Sequence, residues 1–284
     1  MYLVIRLLAR LPLRLLHMMG ALLGWLVYLG SRSYRNHFKQ NAARAALSPA
    51  QARQAVAAAG QMAAELPWIW LRSDQERKLA IEWEGLDRID SALARGKGLI
   101  YLTPHLGCFE VLPLAHSFWL ADRYGPVTVL FRPSRSKALD ELTARVRLSP
   151  GVQTAPTSTA GVRAMLRALQ RGQSVGLLPD QVPEPGLGVW APFFGQPAYT
   201  MTLAMRLARR SGAPVVLIHG ERLSHGRGFL IQTRPVELNL DETDEALAEF
   251  MNRKLEKVIR AQAGQYLWGY ARYKAPVRKR IDAT

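Results

Sequence analysis

The sequence predicts a mixed α/β domain with a largely parallel sheet flanked by helices. Short apolar runs alternate with helix-length segments along most of the chain. Runs such as Leu99-Ile100-Tyr101-Leu102 are apolar throughout, the pattern of strands covered on both faces. Two late runs, 215–218 and 229–232, are joined by a Gly-rich turn at 224–228, which predicts an antiparallel edge.

In chain order, residues 34–47 read as a polar helix. Ser48-Pro49 is an N-cap with proline at the first helical position, opening an alanine-rich helix to about Leu66. Pro67 is expected to kink or stop it. The apolar knot Trp68-Ile69-Trp70-Leu71 suits core packing or a membrane interface. Strands follow at 81–84, 98–102, 127–131, 152–155 and 174–178. Helices are expected at 86–94, 106–120, 137–148, 161–170, 202–210 and 245–263. No internal repeat or long linker divides the chain.

Residues 1–30 contain no Asp or Glu, and 15–30 are nearly all apolar, broken only by His17. A full bilayer span needs about 20 apolar residues, so this run is short. Arg6, Arg10 and Arg14 fall four apart on one helical face, an interfacial or snorkelling pattern. The expectation is a membrane-anchoring helix over 1–30 and one domain over 31–284. A signal peptide and a buried core helix are the rival readings, but no small-x-small cleavage site follows the apolar run.

The charge balance is uneven: 38 Lys and Arg against 22 Asp and Glu give +16. Such a surplus favours an anionic partner. No helix-turn-helix, RNP or zinc-finger pattern supports nucleic acid. The single cysteine, Cys108, excludes an internal disulfide and a cysteine zinc site, and no histidine has metal-ligand spacing.

The candidate chemistry lies at strand ends. Thr103-Pro104-His105-Leu106-Gly107-Cys108-Phe109-Glu110 follows the run 98–102, and in open α/β folds such junctions carry the site. Positions five apart are roughly 140° from each other around a helix. If His105 and Glu110 act together, His105 must therefore sit in the turn, with Gly107 keeping the backbone open. A neutral imidazole is a general base near neutral pH, and a carboxylate on its other nitrogen fixes the tautomer. No Gly-x-Ser-x-Gly motif is present, so the expectation is that the activated hydroxyl belongs to a substrate. Cys108 as nucleophile is the weaker alternative to a small buried apolar residue. Arg132 follows the strand 127–131 and suits an anion. Asp180 ends the strand 174–178 and opens a long loop, Val182–Tyr199, whose aromatics suit a lid or an apolar wall. His17, His37, His116, His219 and His225 read as structural.

His-x4-Glu, then Phe-Arg-Pro, Leu-Pro-Asp-Gln, Phe-Phe-Gly-Gln-Pro-Ala-Tyr-Thr, Gly-Ala-Pro-Val-Val and Gln265-Tyr266-Leu267-Trp268 with Arg272-Tyr273-Lys274 occur in that order. Together they resemble the bacterial lipid A biosynthesis (late) acyltransferases of lauroyl/myristoyl type, and more distantly the glycerophosphate acyltransferase superfamily. The resemblance covers nearly the whole chain. It implies transfer of a fatty acyl group from an acyl carrier protein thioester to a hydroxyl of an anionic glycolipid, a lipid A precursor. The place implied is the cytoplasmic face of the bacterial inner membrane, and no metal or organic cofactor is implied. It carries over His105 as general base, Glu110 as its partner, Arg132 as a substrate-binding arginine and Asp180 as the third-motif acid of the substrate site. Pro179-Asp180-Gln181 departs from the wider superfamily's Pro-Glu-Gly-Thr-Arg. Backbone donors near the helix start would stabilise the oxyanion. A thioesterase or lipase with water as acceptor, and a non-catalytic basic membrane-binding protein, are the competing readings.

Overall fold

The computed structural model describes residues 2–131 and 150–277. The expected helix at 137–148 and Arg132 lie outside the described residues. Seven strands form one sheet: β1 (Ile81–Glu84), β2 (Leu99–Leu102), β3 (Val127–Phe131), β4 (Val152–Pro156), β5 (Ser174–Leu177), β8 (Val215–Arg222) and β9 (Phe229–Val236). Their order is β1-β9-β8-β2-β5-β3-β4. All neighbours pair in parallel except β8 with β9. The antiparallel pair is therefore internal, because β1 adds in parallel outside β9. The fold is the mixed, mostly parallel α/β architecture that the sequence predicts.

Along β2, Leu99 and Tyr101 point to one face of the sheet, while Ile100 and Leu102 point to the other. Two apolar cores result. One packs α9 (Thr159–Gln170), α10 (Leu203–Ser211) and α11 (Asp244–Ala261) on Ile100, Leu102, Val175 and Leu217. The other packs α6 (Leu86–Leu93) and α7 (Val111–Trp119) on Leu99, Tyr101, Val216 and Ile218.

Two helices replace the single one expected near the N-terminus: α1 (Tyr2–Ala9) and α2 (Leu13–Gly30). Pro12 caps α2, so Arg6, Arg10 and Arg14 do not share one continuous helical face. After α3 (Arg32–Arg44), α4 runs Pro49–Leu71 from the expected Ser48 cap, a capping box with Gln51. Pro67 lies inside α4 and does not stop it. Trp68 and Ile69 in its last turn are buried, and the Trp68 ring centroid is 6.4 Å from that of Phe229, so this knot packs the core. The short α5 (Asp74–Leu79) then leads into β1, and α8 (Ala121–Tyr124) links α7 to β3.

The segment expected as a long loop contains a hairpin, β6 (Gly188–Phe193) with β7 (Gln196–Met201). It is fixed to the core rather than built as a lid. Asn252 on α11 donates to Pro192 O (2.8 Å) and Thr200 Oγ1 (3.0 Å), Phe194 N donates to Glu256 (2.6 Å), and Arg272 donates to Tyr199 O (2.7 Å).

Candidate active site

β2 ends at Leu102, and the chain does not enter α7 until Val111, five residues later than the sequence suggests. The intervening loop is held from both sides. Leu106 bridges Tyr266 and Gly107 bridges Gly220 of β8. Gly107 N donates to Gln265 O (3.0 Å), Cys108 N to Gly220 O (2.7 Å), and Leu267 N to His105 O (3.1 Å). Gly107 has φ +59°, and a Cβ there would lie 2.0 Å from Gly220 O. The glycine thus serves the approach of two backbones, not the approach of a ligand as its place in the motif suggested.

His105 sits in this non-helical turn, as the spacing requires. Its ring Nδ1 is 2.7 Å from Asp180 Oδ1, and its backbone N donates to Asp180 Oδ2 (2.8 Å). Asp180 is buried, whereas the His105 side chain keeps 15% of its surface exposed. Because a carboxylate only accepts, Nδ1 carries the proton and Nε2 keeps its lone pair. Gln181 Nε2 is 3.0 Å from that Nε2. Burial alone would raise the Asp180 carboxyl. The His105 ring and backbone donors, with the Tyr266 hydroxyl, hold it below its usual range instead. Asp180, expected in the substrate site, therefore occupies the tautomer-fixing position on Nδ1 that the sequence reading gave to Glu110.

Glu110 is the residue before α7 and takes the N-cap position. It lines a cleft, partly open to solvent, on the α7 side of the sheet. Thr103, Phe109, Glu110 and Leu178 line it at the carboxyl end of the strands. Tyr101 and Gly176 are register partners, as are Gly176 and Val129; this apolar row lies one step deeper. Leu112, Pro113 and His116 of α7 cover it. The Phe109 ring meets His105 edge-on at 5.0 Å between centroids, so Phe109 touches both imidazole and cleft. A mostly apolar cleft with a few polar groups at one end suits a chain-like ligand with a reactive head.

His116, read as structural, is buried against the cleft with Nδ1 3.1 Å from Tyr101 Oη and Nε2 3.0 Å from Gly125 O. The carbonyl only accepts, so Nε2 carries the proton and Nδ1 accepts from the tyrosine. Burial brings its pKa down to about 4. Cys108 is buried, and burial raises its thiol well above the ordinary value, which leaves no thiolate to act as nucleophile. Among the described residues no cluster of His, Cys, Asp and Glu could hold a metal.

Gln181 and Tyr266 escaped the sequence reading as site residues. Both stood in motifs already singled out, Leu-Pro-Asp-Gln and Gln265–Trp268. Only the adjacency of β2 and β5, and the isolated bridge of Tyr266 to Leu106, brings them to the His105 loop.

A family model for bacterial lipid A biosynthesis acyltransferases matches residues 1–275. The chain is 28% identical to a lipid A biosynthesis lauroyltransferase of Escherichia coli K12, over 76% of this chain and 68% of that one. It is 25% identical to a lipid A biosynthesis acyltransferase of Haemophilus influenzae Rd, over 70% and 61%. It is also 29% identical to a phosphatidylinositol mannoside acyltransferase of Mycobacterium tuberculosis H37Rv, over 55% and 50%. The matches thus span between half and about two thirds of these relatives' lengths.

Proposed function

The chain belongs to the bacterial lipid A biosynthesis acyltransferase family, and on that premise we propose that it moves a fatty acyl chain from an acyl carrier protein thioester to a hydroxyl of an anionic glycolipid, a lipid A precursor. The observation that supports the reading best is the imidazole of His105, fixed on Nδ1 by buried Asp180 beside an apolar cleft. In the proposed reaction Nε2 takes the acceptor hydroxyl proton, the Gln181 amide having been displaced. The oxygen attacks the thioester carbonyl carbon, and the carbon–sulfur bond breaks. The departing thiolate takes the proton back from the imidazolium, so no acyl-enzyme forms.

Glu110 is proposed as the second catalytic carboxylate, lining the cleft beside the reacting groups. Asp180 is proposed as the residue that orients His105. Arg132 is proposed, on sequence alone, to bind an anionic substrate group. The acyl chain would lie along Tyr101, Gly176 and Val129. The charge of +16 suits both an acidic carrier protein and a phosphorylated lipid. Membrane attachment through residues 1–30, with 31–284 as the catalytic domain on the cytoplasmic face of the inner membrane, completes the reading.

The test is mass spectrometry of products from purified protein given acyl carrier protein thioesters and a lipid A precursor. The expected product carries one additional ester-linked chain, and His105→Ala makes none. Free fatty acid alone would overturn transfer, and no turnover of any thioester would overturn catalysis.

A further inference from the structure

We propose that α1 and α2 lie in the plane of an anionic lipid surface as a docked face of the enzyme, and that α2 does not cross the bilayer. The proposal deepens the membrane association put forward above.

The inner face of α2 is sealed to the protein along its length. Three glycines let the α2 and α4 backbones touch. A Cβ on Gly60 would lie 2.0 Å from Gly20 O, and one on Gly24 would lie 2.2 Å from Val56 O. Beside this contact His17 Nε2 is 3.0 Å from Glu65 Oε2, and Glu65 accepts two bonds from Arg222 (2.7 and 2.6 Å). All three side chains are buried. Further along, Tyr28 packs edge-on against buried Phe38, with centroids 5.4 Å apart. A spanning α2 would have to leave these contacts or pull α4, with Arg53 and Gln61, into hydrocarbon. The first breaks a buried charge network and the second buries unpaired polar groups.

The outer face is apolar and uncovered. Among the described residues 15 large apolar side chains are exposed, and 11 of them fall within the first thirty positions. Met18, Leu22, Leu26 and Leu29 form one stripe at helical spacing, each 59–65% exposed. So local a concentration marks a contact surface. The charge of the N-terminal segment around it selects the partner. The first acidic residue of the chain is Glu65, while Arg6, Arg10, Arg14, Arg32, Arg35, Lys39, Arg44 and Arg53 precede it. A second copy would bring the same eight cations and be repelled; anionic headgroups would be attracted. The face also adjoins the site, because a Cβ on Gly226, just beyond the carboxyl end of β8, would lie 2.3 Å from Arg14 N. That end of β8 is on the same rim as His105, since β8 and β2 are parallel.

The test uses single cysteines just before α2 and at its end, Arg10→Cys and Gly30→Cys, each in a Cys108→Ala background. A membrane-impermeant maleimide is applied to intact spheroplasts and to inverted vesicles of the expressing bacterium. Both positions are expected to label from the same side of the membrane. Labelling from opposite sides, or of either position only after detergent, overturns the proposal. Leu22→Glu with Leu26→Glu is expected to shift the protein from the membrane to the soluble fraction. Retention on the membrane, or a parent protein that is a soluble dimer, also overturns it. Neither readout involves acyl transfer, so failure of the catalytic reading leaves the result interpretable.

Discussion

Asp180 accepts two hydrogen bonds from one residue, the backbone N–H and the ring Nδ1 of His105. The two oxygens of one carboxylate therefore set both the position of the loop and the tautomer of the base. In Asp180→Asn the amide nitrogen facing Nδ1 would favour the wrong tautomer. The expected result is a fall in kcat of about 10³-fold with little change in KM for the thioester. Gln181→Ala, which removes only the group on Nε2, should cost less than about ten-fold. Steady-state kinetics decide: a loss under ten-fold in Asp180→Asn would remove Asp180 from its orienting role.

Gly107→Ala combines an unfavourable φ with a clash against Gly220 O. The expected cost is about 2–4 kcal/mol, a melting temperature lower by roughly 5–10 °C. Thermal unfolding checks it; Gly96→Ala is the comparison, since its φ is also positive but nothing lies near its Cβ.

Glu65→Gln leaves Arg222 buried beside a neutral group, and the expected loss is about 3–5 kcal/mol. Glu65→Leu combined with Arg222→Met, which removes both charges, should cost less. Chemical denaturation of both variants measures the difference, and the reverse order would show that the ion pair is not the origin of the loss.

His116 and His219 are both held neutral, with pKa values brought down to about 4 mainly by burial. Their folded pKa lies below the ordinary 6.5, so the unfolded chain binds more protons between those values. Stability is full above about pH 6.5 and falls as pH drops toward 4, by on the order of 3 kcal/mol per histidine. The double variant His116→Gln, His219→Gln should lose less melting temperature than the parent between pH 6.5 and 4.5. An equal loss would assign the acid sensitivity elsewhere.

Gly176 lines the cleft mid-strand, and a Cβ there meets only Val129 Cγ1, at 3.0 Å. Gly176→Val should narrow the cleft without unfolding the sheet. Competing thioesters of different chain length, resolved by mass spectrometry, should show transfer moving toward shorter chains. An unchanged product distribution would place the acyl chain elsewhere.

Much of this is legible in the sequence alone. Buried strands announce themselves as continuous apolar runs, and the spacing of His105 and Glu110 forces His105 out of regular helix. The partner of His105 was not readable. Asp180 lies 75 positions away and arrives only because β5, not the sequence-adjacent β3, pairs with β2. The β6–β7 hairpin was hidden because Pro192, Gly195 and Pro197 mimic a loop. Both prolines are tolerated in a ribbon of only two strands, where each strand has an open side. Pro67 misled for a related reason: tertiary packing of Trp68 and Ile69 carries α4 past a residue that local rules treat as a stop.

The clamp on the His105 loop has a consequence for synthesis. Gly107 and His105 take their backbone partners from Gln265 and Leu267, about 160 positions downstream. A ribosome that has delivered the whole sheet through β9 has still not delivered those partners. The His105 loop of the growing polypeptide therefore has no clasp until residues 265–267 have emerged.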